Sequence, residues 1–169
     1  MYVGVMSPAK SQATLMIRVY ARILQGIRDA ITTQNAVRDA YWTLVGYFNS
    51  LRVLSGARLQ VHDDVSERLN VLAPDASLRR ALNIIEELTS RAASAEIPKK
   101  LEQMKLAYPD ANAFDVLLAT NMISVGVDVG RLGLMVMMGQ PQSTAEYIQS
   151  TSRVGRESPG LVVTVFNRA

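Results

Sequence analysis

Two apolar runs near the end of the chain, Leu132-Gly-Leu-Met-Val-Met-Met138 and Leu161-Val-Val-Thr-Val-Phe166, decide the fold. Each run has the length of a β-strand and is apolar at almost every position, which is typical of a strand buried on both faces of a sheet. Between them, residues 144–154 predict a helix, and Gly155 and Pro159 stand where that helix should end. This alternation favours an α/β fold in which helices cover both faces of a mostly parallel sheet.

The rest of the chain continues the alternation. Further strands are predicted at residues 2–6, 41–48 and 115–120, whereas residues 83–90 fit either a helix end or a strand. Helices are predicted at residues 11–30, where Ser11 is the N-cap, at 35–40, and at 98–107. Another is predicted at 49–55 and should end near Gly56. A further short helix should begin at an Asp64-x-x-Glu67 capping box and end before Pro74. No repeat, low-complexity stretch or linker interrupts the pattern, which predicts a single domain over residues 1–169.

The composition limits the chemistry. Of the 169 residues, 49% are hydrophobic and 20% are charged, so the chain can bury a sizeable core. It has no cysteine and one histidine, which excludes disulfides, thiolate zinc sites and cysteine nucleophiles, and we predict no metal site. The formal charge of +3 permits an anionic partner without requiring one. No apolar run reaches the roughly 20 residues of a membrane span and no signal peptide is visible, so we expect a cytoplasmic protein without membrane contact.

Several conspicuous side chains have both a functional and a structural interpretation. The aromatic residues Tyr41, Trp42, Tyr47 and Phe48 are of a kind that stacks on bases, but on a central strand we expect them in the core. The pair Arg79-Arg80 is of a kind that contacts a nucleic-acid backbone, but we expect it on a solvated helix surface.

A polar and basic group near the end of the chain carries the strongest chemical signal. Gln149, Arg153 and Arg156 lie at offsets 0, +4 and +7, which brings them within about 60° of one another on one helix face. Two guanidinium groups that face one way without an acid between them suit a phosphate group, and Gly155 leaves room for its close approach. A solvated basic face that ends in a glycine C-cap explains the same spacing, so both interpretations stay open.

A second group follows the strand predicted at residues 115–120. Thr120 and Ser124 can donate hydrogen bonds to a phosphate backbone. Asp128 can accept one from a ribose hydroxyl, and Gly126 allows a backbone to approach closely. In a parallel α/β sheet, ligands bind beyond the carboxyl ends of the strands, which is where this segment begins. An ordinary turn with an Asx cap explains the same residues.

Together the two groups resemble motifs V and VI of the superfamily 2 helicases. Residues 120–128 resemble motif V, in the Val-Gly-Val-Asp-Val variant that DNA translocases also use, and residues 149–156 match the motif VI pattern Q-x-x-x-R-x-G-R. A strand separates the two motifs and another strand follows them. Residues 43–52 resemble motif IV more loosely, and Leu88-Thr89-Ser90-Arg91 stands where the family often has a loop that contacts nucleic acid.

The resemblance implies that the chain is the C-terminal, or second, RecA-like domain of such a helicase, with a three-layer P-loop NTPase-like fold. In that family ATP binds between two lobes: the first supplies the phosphate-binding loop and the acids that bind Mg²⁺, and the second supplies arginine fingers that stabilise charge on the transferred phosphoryl group. The residues that match these roles are Gln149, Arg153 and Arg156 for catalysis; Gly126, Asp128 and Gly155 for the nucleotide; and Thr89, Ser90, Arg91, Thr120 and Ser124 for nucleic acid.

The resemblance covers residues 41–169, so residues 1–40 are the least constrained. Val125 stands where many RNA helicases have arginine, and we therefore expect DNA rather than RNA as the nucleic-acid partner. The sequence of residues 118–156 also resembles that of large bacterial helicases associated with phage-defence or restriction systems.

Motifs that ATP hydrolysis requires are not found in the sequence. None of the ten glycines is followed by lysine, so there is no G-x-x-x-x-G-K-[ST] loop, and no D-E-x-[DH] motif occurs. Together with the apolar strands at both ends, this predicts a fragment of a longer polypeptide whose first lobe completes the ATP site, and we expect the isolated chain to be inactive. The alternative is a non-catalytic RecA-like module that binds nucleic acid or a protein partner.

Overall fold

The computed structural model describes residues 1–30, 34–93, 95–124 and 128–166. The strands are β1 (Tyr2–Val5), β2 (Leu44–Phe48), β3 (Ile85–Leu88), β4 (Val116–Ala119), β5 (Leu134–Met138) and β6 (Leu161–Val165). The helices are α1 (Gln12–Asp29), α2 (Asn35–Trp42), α3 (Leu51–Gln60), α4 (Ser66–Leu72), α5 (Ile97–Met104) and α6 (Thr144–Thr151). Among the described residues, none of the helices is both long and apolar enough to span a membrane.

The six strands form one sheet in the order β1-β6-β5-β2-β4-β3, and every neighbouring pair is parallel. Val45 of the central strand β2 aligns with Leu117 of β4 on one side and with Met135 of β5 on the other. Because all strands run the same way, they all end at one side of the sheet, called here the carboxyl edge, and begin at the opposite side, the amino edge. The α/β prediction with a mostly parallel sheet is confirmed.

Alternating side chains of each strand enter two buried layers, one on each face of the sheet. On β2, Leu44 and Phe48 pack in the layer that α1, α3 and α4 cover, whereas Val45 and Tyr47 pack in the layer that α5 and α6 cover. All five residues of β2 are buried, as expected for a central strand. The result is a three-layer arrangement of helices, sheet and helices.

Serine side chains begin three of the helices. The Oγ atoms of Ser11, Ser50 and Ser143 each accept a hydrogen bond from the backbone N–H three residues later, over 3.1, 3.4 and 3.2 Å, at the starts of α1, α3 and α6. Each bond satisfies a backbone donor that the first helical turn leaves without an internal partner. The N-cap predicted at Ser11 is confirmed. Because α1, α3 and α6 all follow strands in a parallel sheet, their N-terminal ends face the carboxyl edge.

The strand predicted at residues 41–48 begins only at Leu44, because Tyr41 and Trp42 belong to the last turn of α2. Trp42 contacts two residues that are distant in sequence: the Arg80 guanidinium lies 3.3 Å from its ring centroid, and the Tyr108 ring centroid lies 4.2 Å from it. These tertiary contacts hold Trp42 at the helix end, half buried. The prediction that Tyr41 and Trp42 lie on a central strand is therefore wrong.

The helix predicted at residues 49–55 does not end near Gly56. It continues through α3, a π-helical segment at Val61–Val65, and α4. A stripe of buried apolar residues runs along this long helix and consists of Leu54, Ala57, Val61, Val65 and Leu69. This stripe favours continuation of the helix past Gly56.

Two further sequence signals have a different meaning in this long helix. Gly56 lies on an exposed part of α3, where a Cβ atom would meet no atom within 4 Å, so it neither terminates the helix nor allows a close contact. Asp64 lies inside the π-helical segment and Glu67 inside α4, so the predicted capping box does not form. The helix ends at Leu72, just before Pro74, as predicted. The uncertain segment at residues 83–90 contains the strand β3, and the helix predicted at 98–107 ends early, at Met104.

Candidate functional site

Two of the predicted nucleic-acid residues are neighbours at the carboxyl edge. Thr89 directly follows β3 and Thr120 directly follows β4, and the last residues of these two strands, Leu88 and Ala119, are register partners. Adjacent strands lie about 4.8 Å apart, so the two threonines lie side by side, just beyond the ends of neighbouring strands. Both are buried, and the Thr89 hydroxyl accepts a hydrogen bond from the Arg91 backbone N–H over 3.3 Å.

Arg91 lies beside the same edge and is held by α3. Its Nη1 atom donates a hydrogen bond of 2.6 Å to the Ser55 hydroxyl, which in turn donates to the Leu51 carbonyl oxygen over 2.9 Å. The guanidinium is thereby oriented while most of the residue stays exposed, as does the adjacent Ser90. Thr89, Ser90, Arg91 and Thr120 thus form one group, whose exposed members are available to an anionic partner.

The structure describes only part of the motif V segment, residues 120–124 and 128. Ser124 closes a 3-10 turn at Asn121–Ser124, but its side chain lies outside what the structure describes. Gly126 lies outside the described residues altogether, so its predicted contact with the nucleotide stays a prediction. The chain is described again from Asp128, which lies close to the amino edge, as the contacts below show. Thr120 and Asp128, the first and last residues of the motif V segment, therefore lie at opposite edges of the sheet.

The residues of the motif VI pattern do not share one helix face. Helix α6 ends at Thr151, so Gln149 lies in its last turn, whereas Arg153 and Arg156 lie in the turns that follow. The backbone N–H of Arg153 bonds to the Ser150 carbonyl and that of Val154 to the Thr151 carbonyl, both with the tighter i to i+3 spacing. The helix predicted at 144–154 is confirmed over Thr144–Thr151 but ends three residues early, so the prediction that Gln149, Arg153 and Arg156 share one helix face is wrong.

Gly155 fixes the turn that carries both arginines. Its backbone φ is +80°, a conformation that disfavours any residue with a Cβ atom, and its N–H donates to the Leu132 carbonyl oxygen over 2.7 Å. A Cβ atom here would stand 2.8 Å from the Cα atom of Gly160. The close approach that requires glycine at this position is made by the protein's own backbone at the amino edge, beside the start of β5.

Arg156 pairs with Asp128, which brings together two residues assigned from different motifs. Arg156 Nη1 contacts Asp128 Oδ1, and Arg156 Nε donates to the Ser152 carbonyl oxygen over 3.2 Å. The Asp128 side chain is 86% exposed and that of Arg156 is 35% exposed. Ion pairs this exposed contribute only about 0–1 kcal/mol, so either partner can exchange the other for a competing charged group.

A cavity of about 280 Å³ opens beside this pair. Its lining residues are Lys105, Asp128, Val129, Gly130, Arg131 and Glu157. Gln149 is exposed and Arg153 is half buried near the same edge. The amino edge therefore combines the predicted catalytic residues with two of the predicted nucleotide residues, Asp128 and Gly155.

A buried ion pair lies at the same edge, and the sequence analysis missed it. Arg80 Nη1 stands 2.6 Å from Asp115 Oδ1, and both side chains are at most 5% exposed. Burial lowers the pKa of the Arg80 guanidinium, which the nearby Asp115 carboxylate partly offsets. Asp115 also accepts hydrogen bonds from the backbone N–H groups of Asn83 and Ile84. The prediction that Arg80 lies on a solvated helix surface is wrong.

A second ion pair supports the loop that follows Asp128. Arg131 Nη1 donates to Asp39 Oδ1 over 2.9 Å, its Nε donates to the Met104 carbonyl over 2.9 Å, and its Nη2 donates to the Thr43 hydroxyl over 3.0 Å. Burial lowers the pKa of the Arg131 guanidinium, and the Asp39 carboxylate opposes that effect. One side chain thus ties together α2, α5 and the start of β2, and fixes the base of the cavity.

Comparisons with known proteins agree with this architecture. Residues 66–158 match the sequence profile of the helicase conserved C-terminal domain. The DISARM protein DrmA of Bacillus paralicheniformis is 48% identical over 171 residues, which cover 99% of this chain and 15% of that protein.

Solved structures give the same result for the fold. The DUF1998 helicase MrfA bound to DNA superposes with a TM-score of 0.69 at 17% identity, over 99% of this chain and 20% of that chain. Domain 2 of the DEAD-box helicase Mss116p, bound to an RNA duplex, superposes with a TM-score of 0.66 at 15% identity, over 98% of this chain and 53% of that chain. The RecA-like fold is thereby confirmed, and the chain spans only 15% of the length of DrmA.

Proposed function

Because the chain belongs to the helicase conserved C-terminal domain family, we propose that it acts as the second RecA-like lobe of an ATP-dependent nucleic-acid helicase or translocase. The observation that carries this proposal is the separation of two polar groups on opposite edges of one sheet. Arg153 and Arg156 project from the turns after α6 at the amino edge, while Thr89 and Thr120 lie at the carboxyl edge. One lobe can in this way bind nucleotide and nucleic acid at the same time.

The amino edge suits a triphosphate in its chemistry. Guanidinium groups bind phosphate oxygens through paired N–H donors, and an arginine finger stabilises the charge that develops during phosphoryl transfer. Arg156 is the stronger candidate for this role because its present partner, Asp128, is so exposed that a phosphate can replace it. Arg153 and Gln149 complete the polar group beside it.

The nucleotide would lie between this chain and a first lobe of the same polypeptide. In this proposal the first lobe supplies the phosphate-binding loop and the acids for Mg²⁺, and ATP supplies the phosphoryl group that is transferred to water. Once Arg156 turns to the phosphates, the Asp128 carboxylate is free to accept a hydrogen bond from the ribose. We assign Gly126 and Gly155 to the nucleotide side of the site, and Gly155 fixes the turn that carries the arginines.

The carboxyl edge suits the backbone of a nucleic acid. Arg91 and Ser90 supply exposed donors, and we assign Thr120 and Ser124 to the same interface. We propose DNA as the partner, because Val125 replaces an arginine of many RNA helicases. We also propose that the full-length protein is a large cytoplasmic bacterial helicase of a phage-defence or restriction system, which the 48% identity to a DISARM protein supports.

The decisive experiment is the removal of each finger from the full-length protein. Arg153→Ala and Arg156→Ala should each reduce nucleic-acid-stimulated ATP hydrolysis by about 1,000-fold, the lower end of the effect of arginine fingers in other phosphoryl-transfer enzymes. The matched control is Arg22→Ala, which removes an exposed arginine from α1 and should leave turnover unchanged. Near-normal turnover in both finger variants would refute the proposal.

A non-catalytic module is the second candidate, and one observation favours it: Arg156 already has an acidic partner within the lobe. This candidate predicts that the isolated lobe binds single strands without ATP and with a steep dependence on salt. The helicase proposal instead predicts that ATP analogues change nucleic-acid affinity in the full-length protein, and that Arg156→Ala abolishes this change.

A further inference from the structure

A pocket of about 270 Å³ lies between α1 and α3, next to the carboxyl edge. Its floor includes Phe48 at the end of β2 and Met138 at the end of β5, which are neighbouring strands. Small residues keep the space between the two helices open, namely Ala13 on α1 and Gly56 and Ala57 on α3. None of the residues assigned so far to ATP or to nucleic acid lines this pocket, although Phe48 and Arg52 belong to the segment 43–52 that resembles motif IV.

The lining of the pocket is mostly apolar and contains three long polar side chains. Met16, Phe48 and Met138 contribute buried apolar surface, and the polar members are Gln12, Arg52 and Gln60. Within the part of the chain that the structure describes, these three polar side chains make no hydrogen bond or ion pair with protein atoms. They are therefore available to a ligand that enters the pocket.

Arg52 adds an electrostatic argument. It lies in the first turn of α3, which contains no acidic residue, although a cation is unfavourable beside the positive end of a helix dipole. An anion close to Arg52 would remove this unfavourable interaction. The position of Arg52 at the carboxyl edge is compatible with a phosphate group of a strand that also contacts the end of β4.

The volume indicates the size of the group that fits. Pockets for drug-sized ligands occupy roughly 300–1,000 Å³, so a pocket of about 270 Å³ suits a single planar ring system. Nucleobases combine flat apolar faces with polar edges, and glutamine amides and arginine are side chains that pair with those edges. Proteins that bind single strands commonly hold unstacked bases against apolar surfaces.

The pocket is also within reach of the proposed nucleic-acid contacts. Strand β2, whose end forms part of the floor, is the direct neighbour of β4, which ends at Thr120, and β4 is followed by β3 and Arg91. At about 4.8 Å per strand, the pocket lies some 5–10 Å from the end of β4, a distance that adjacent nucleotides of a single strand can cover.

We propose that this pocket receives one unstacked nucleobase of a single strand that lies across the carboxyl edge, with Arg52 on the adjoining phosphate. The inference rests on the proposed function and deepens it, because it assigns a contact with a base where the other contacts are with the backbone. A base held between α1 and α3 would set the register of the strand on this lobe.

Gly56 allows a sharp test, because a Cβ atom there meets no protein atom within 4 Å. Because Gly56 lines the pocket, Gly56→Leu places a branched side chain at the pocket wall, and its Cβ atom meets no protein atom within 4 Å. Gly56→Ala is the matched control, since it adds only one methyl group and is better tolerated in a helix than glycine. Both variants should keep or raise the melting temperature of the protein.

The measurement is the affinity of the full-length protein for short oligo-dT strands in the presence of a non-hydrolysable ATP analogue. Each strand carries one abasic position, and this position differs from one strand to the next. For the unmodified protein we expect one abasic position to weaken binding about tenfold, as loss of a stacked base does. Gly56→Leu should weaken binding of the intact strand by a similar factor and remove the dependence on the abasic position. Arg52→Ala should weaken intact and abasic strands equally.

The possible outcomes separate this inference from the proposed function. In one outcome, the protein binds every strand with the same affinity, wherever the abasic position lies, and Gly56→Leu binds as tightly as the unmodified protein. The pocket is then not a base site, although the lobe still binds nucleic acid. If no strand binds at all, both proposals fail. If Gly56→Leu leaves strand binding intact but lowers the melting temperature of the full-length protein, the pocket seats another protein segment, and the inference is overturned.

Discussion

The amino edge and the carboxyl edge of this sheet are built by different means. At the amino edge, the buried pair Arg80–Asp115 and the nearly buried pair Arg131–Asp39 brace the loops between helices and strands. At the carboxyl edge of β3 and β4, the polar residues are two buried threonines and an exposed arginine that a single serine orients.

This difference teaches which edge tolerates rearrangement. In the proposed function, an arginine finger must be held in position, and the turn that carries Arg153 and Arg156 is fixed by Gly155 and by the braced loops around it. In the same proposal, a strand that moves during translocation must be released, and exposed donors on a firm scaffold permit that. Changes in the braced loops of the amino edge should therefore affect stability together with turnover, whereas changes to the exposed donors of the carboxyl edge should affect nucleic-acid affinity alone.

The largest expected effect is the loss of the buried carboxylate at the amino edge. Asp115→Ala leaves the Arg80 guanidinium buried without its charge partner and removes the acceptor for two backbone N–H groups. Breaking a buried pair in this way destabilises a protein by about 3–5 kcal/mol, which urea unfolding measures directly. As the control, Asp128→Ala breaks the exposed pair with Arg156 and should cost no more than about 1 kcal/mol. Equal losses in the two variants would contradict the distinction between the pairs.

The next effect is expected at Gly155. Gly155→Ala forces a Cβ atom into a conformation with φ at +80° and against the Gly160 backbone. The backbone strain alone costs about 1–2 kcal/mol, and the close contact with Gly160 adds to it. We therefore expect the free energy of unfolding to fall by about 2 kcal/mol or more, together with a fall in ATP turnover. Gly56→Ala, in an unobstructed helical position, should instead stabilise the protein by up to about 1 kcal/mol. A Gly155→Ala protein of normal stability would show that the turn is more adaptable than its geometry indicates.

The sequence predicted much of the fold because its strands are nearly continuous apolar runs. Residues 115–120, 132–138 and 161–166 each contain a buried strand, and the four-residue periodicity of 11–30 gives α1. The prediction failed where distant residues decide the local structure. Trp42 ends a helix because Arg80 and Tyr108 hold it there.

The candidate site was predictable in its residues but not in its arrangement. The motif patterns identify the segments at 120–128 and 149–156, yet spacing alone suggested one helix face for Gln149, Arg153 and Arg156. The helix ends earlier because tighter hydrogen bonds and the positive φ of Gly155 turn the chain toward β6. The pairing of Arg156 with Asp128 joins residues 28 positions apart, so only the tertiary structure reveals it.

A third prediction concerns the link between the edges. Tyr47, near the end of β2, donates a hydrogen bond to Glu146 in the first turn of α6, the helix that leads to the arginines. Burial, together with the Glu146 carboxylate, raises the pKa of Tyr47 to about 12. The unfolded chain releases this proton near pH 10, so the stabilisation is complete below pH 10 and is lost as the pH rises toward 12.

The test compares Tyr47→Phe with the unmodified protein in urea unfolding between pH 8 and 12. At pH 8 the variant should be less stable by about 1 kcal/mol, because it lacks the hydrogen bond to Glu146. The difference should shrink as the pH passes from 10 to 12, where the unmodified protein loses the contribution of Tyr47. A difference that stays constant over this range would show that Tyr47 titrates alike in the folded and unfolded chains.

The smallest effect is expected at the carboxyl edge, and it should leave stability unchanged. Arg91→Ala removes one exposed cation from the proposed strand contact, which should weaken single-strand binding a few-fold and lower the slope of log affinity against log salt by about 1. Ser55→Ala keeps the charge but removes the hydroxyl that orients it, so it should weaken binding less and leave the slope intact. Arg22→Ala on α1 is the control for loss of a positive charge elsewhere. If Arg91→Ala also slowed ATP turnover at saturating nucleic acid, the two edges would be coupled more tightly than their separate construction indicates.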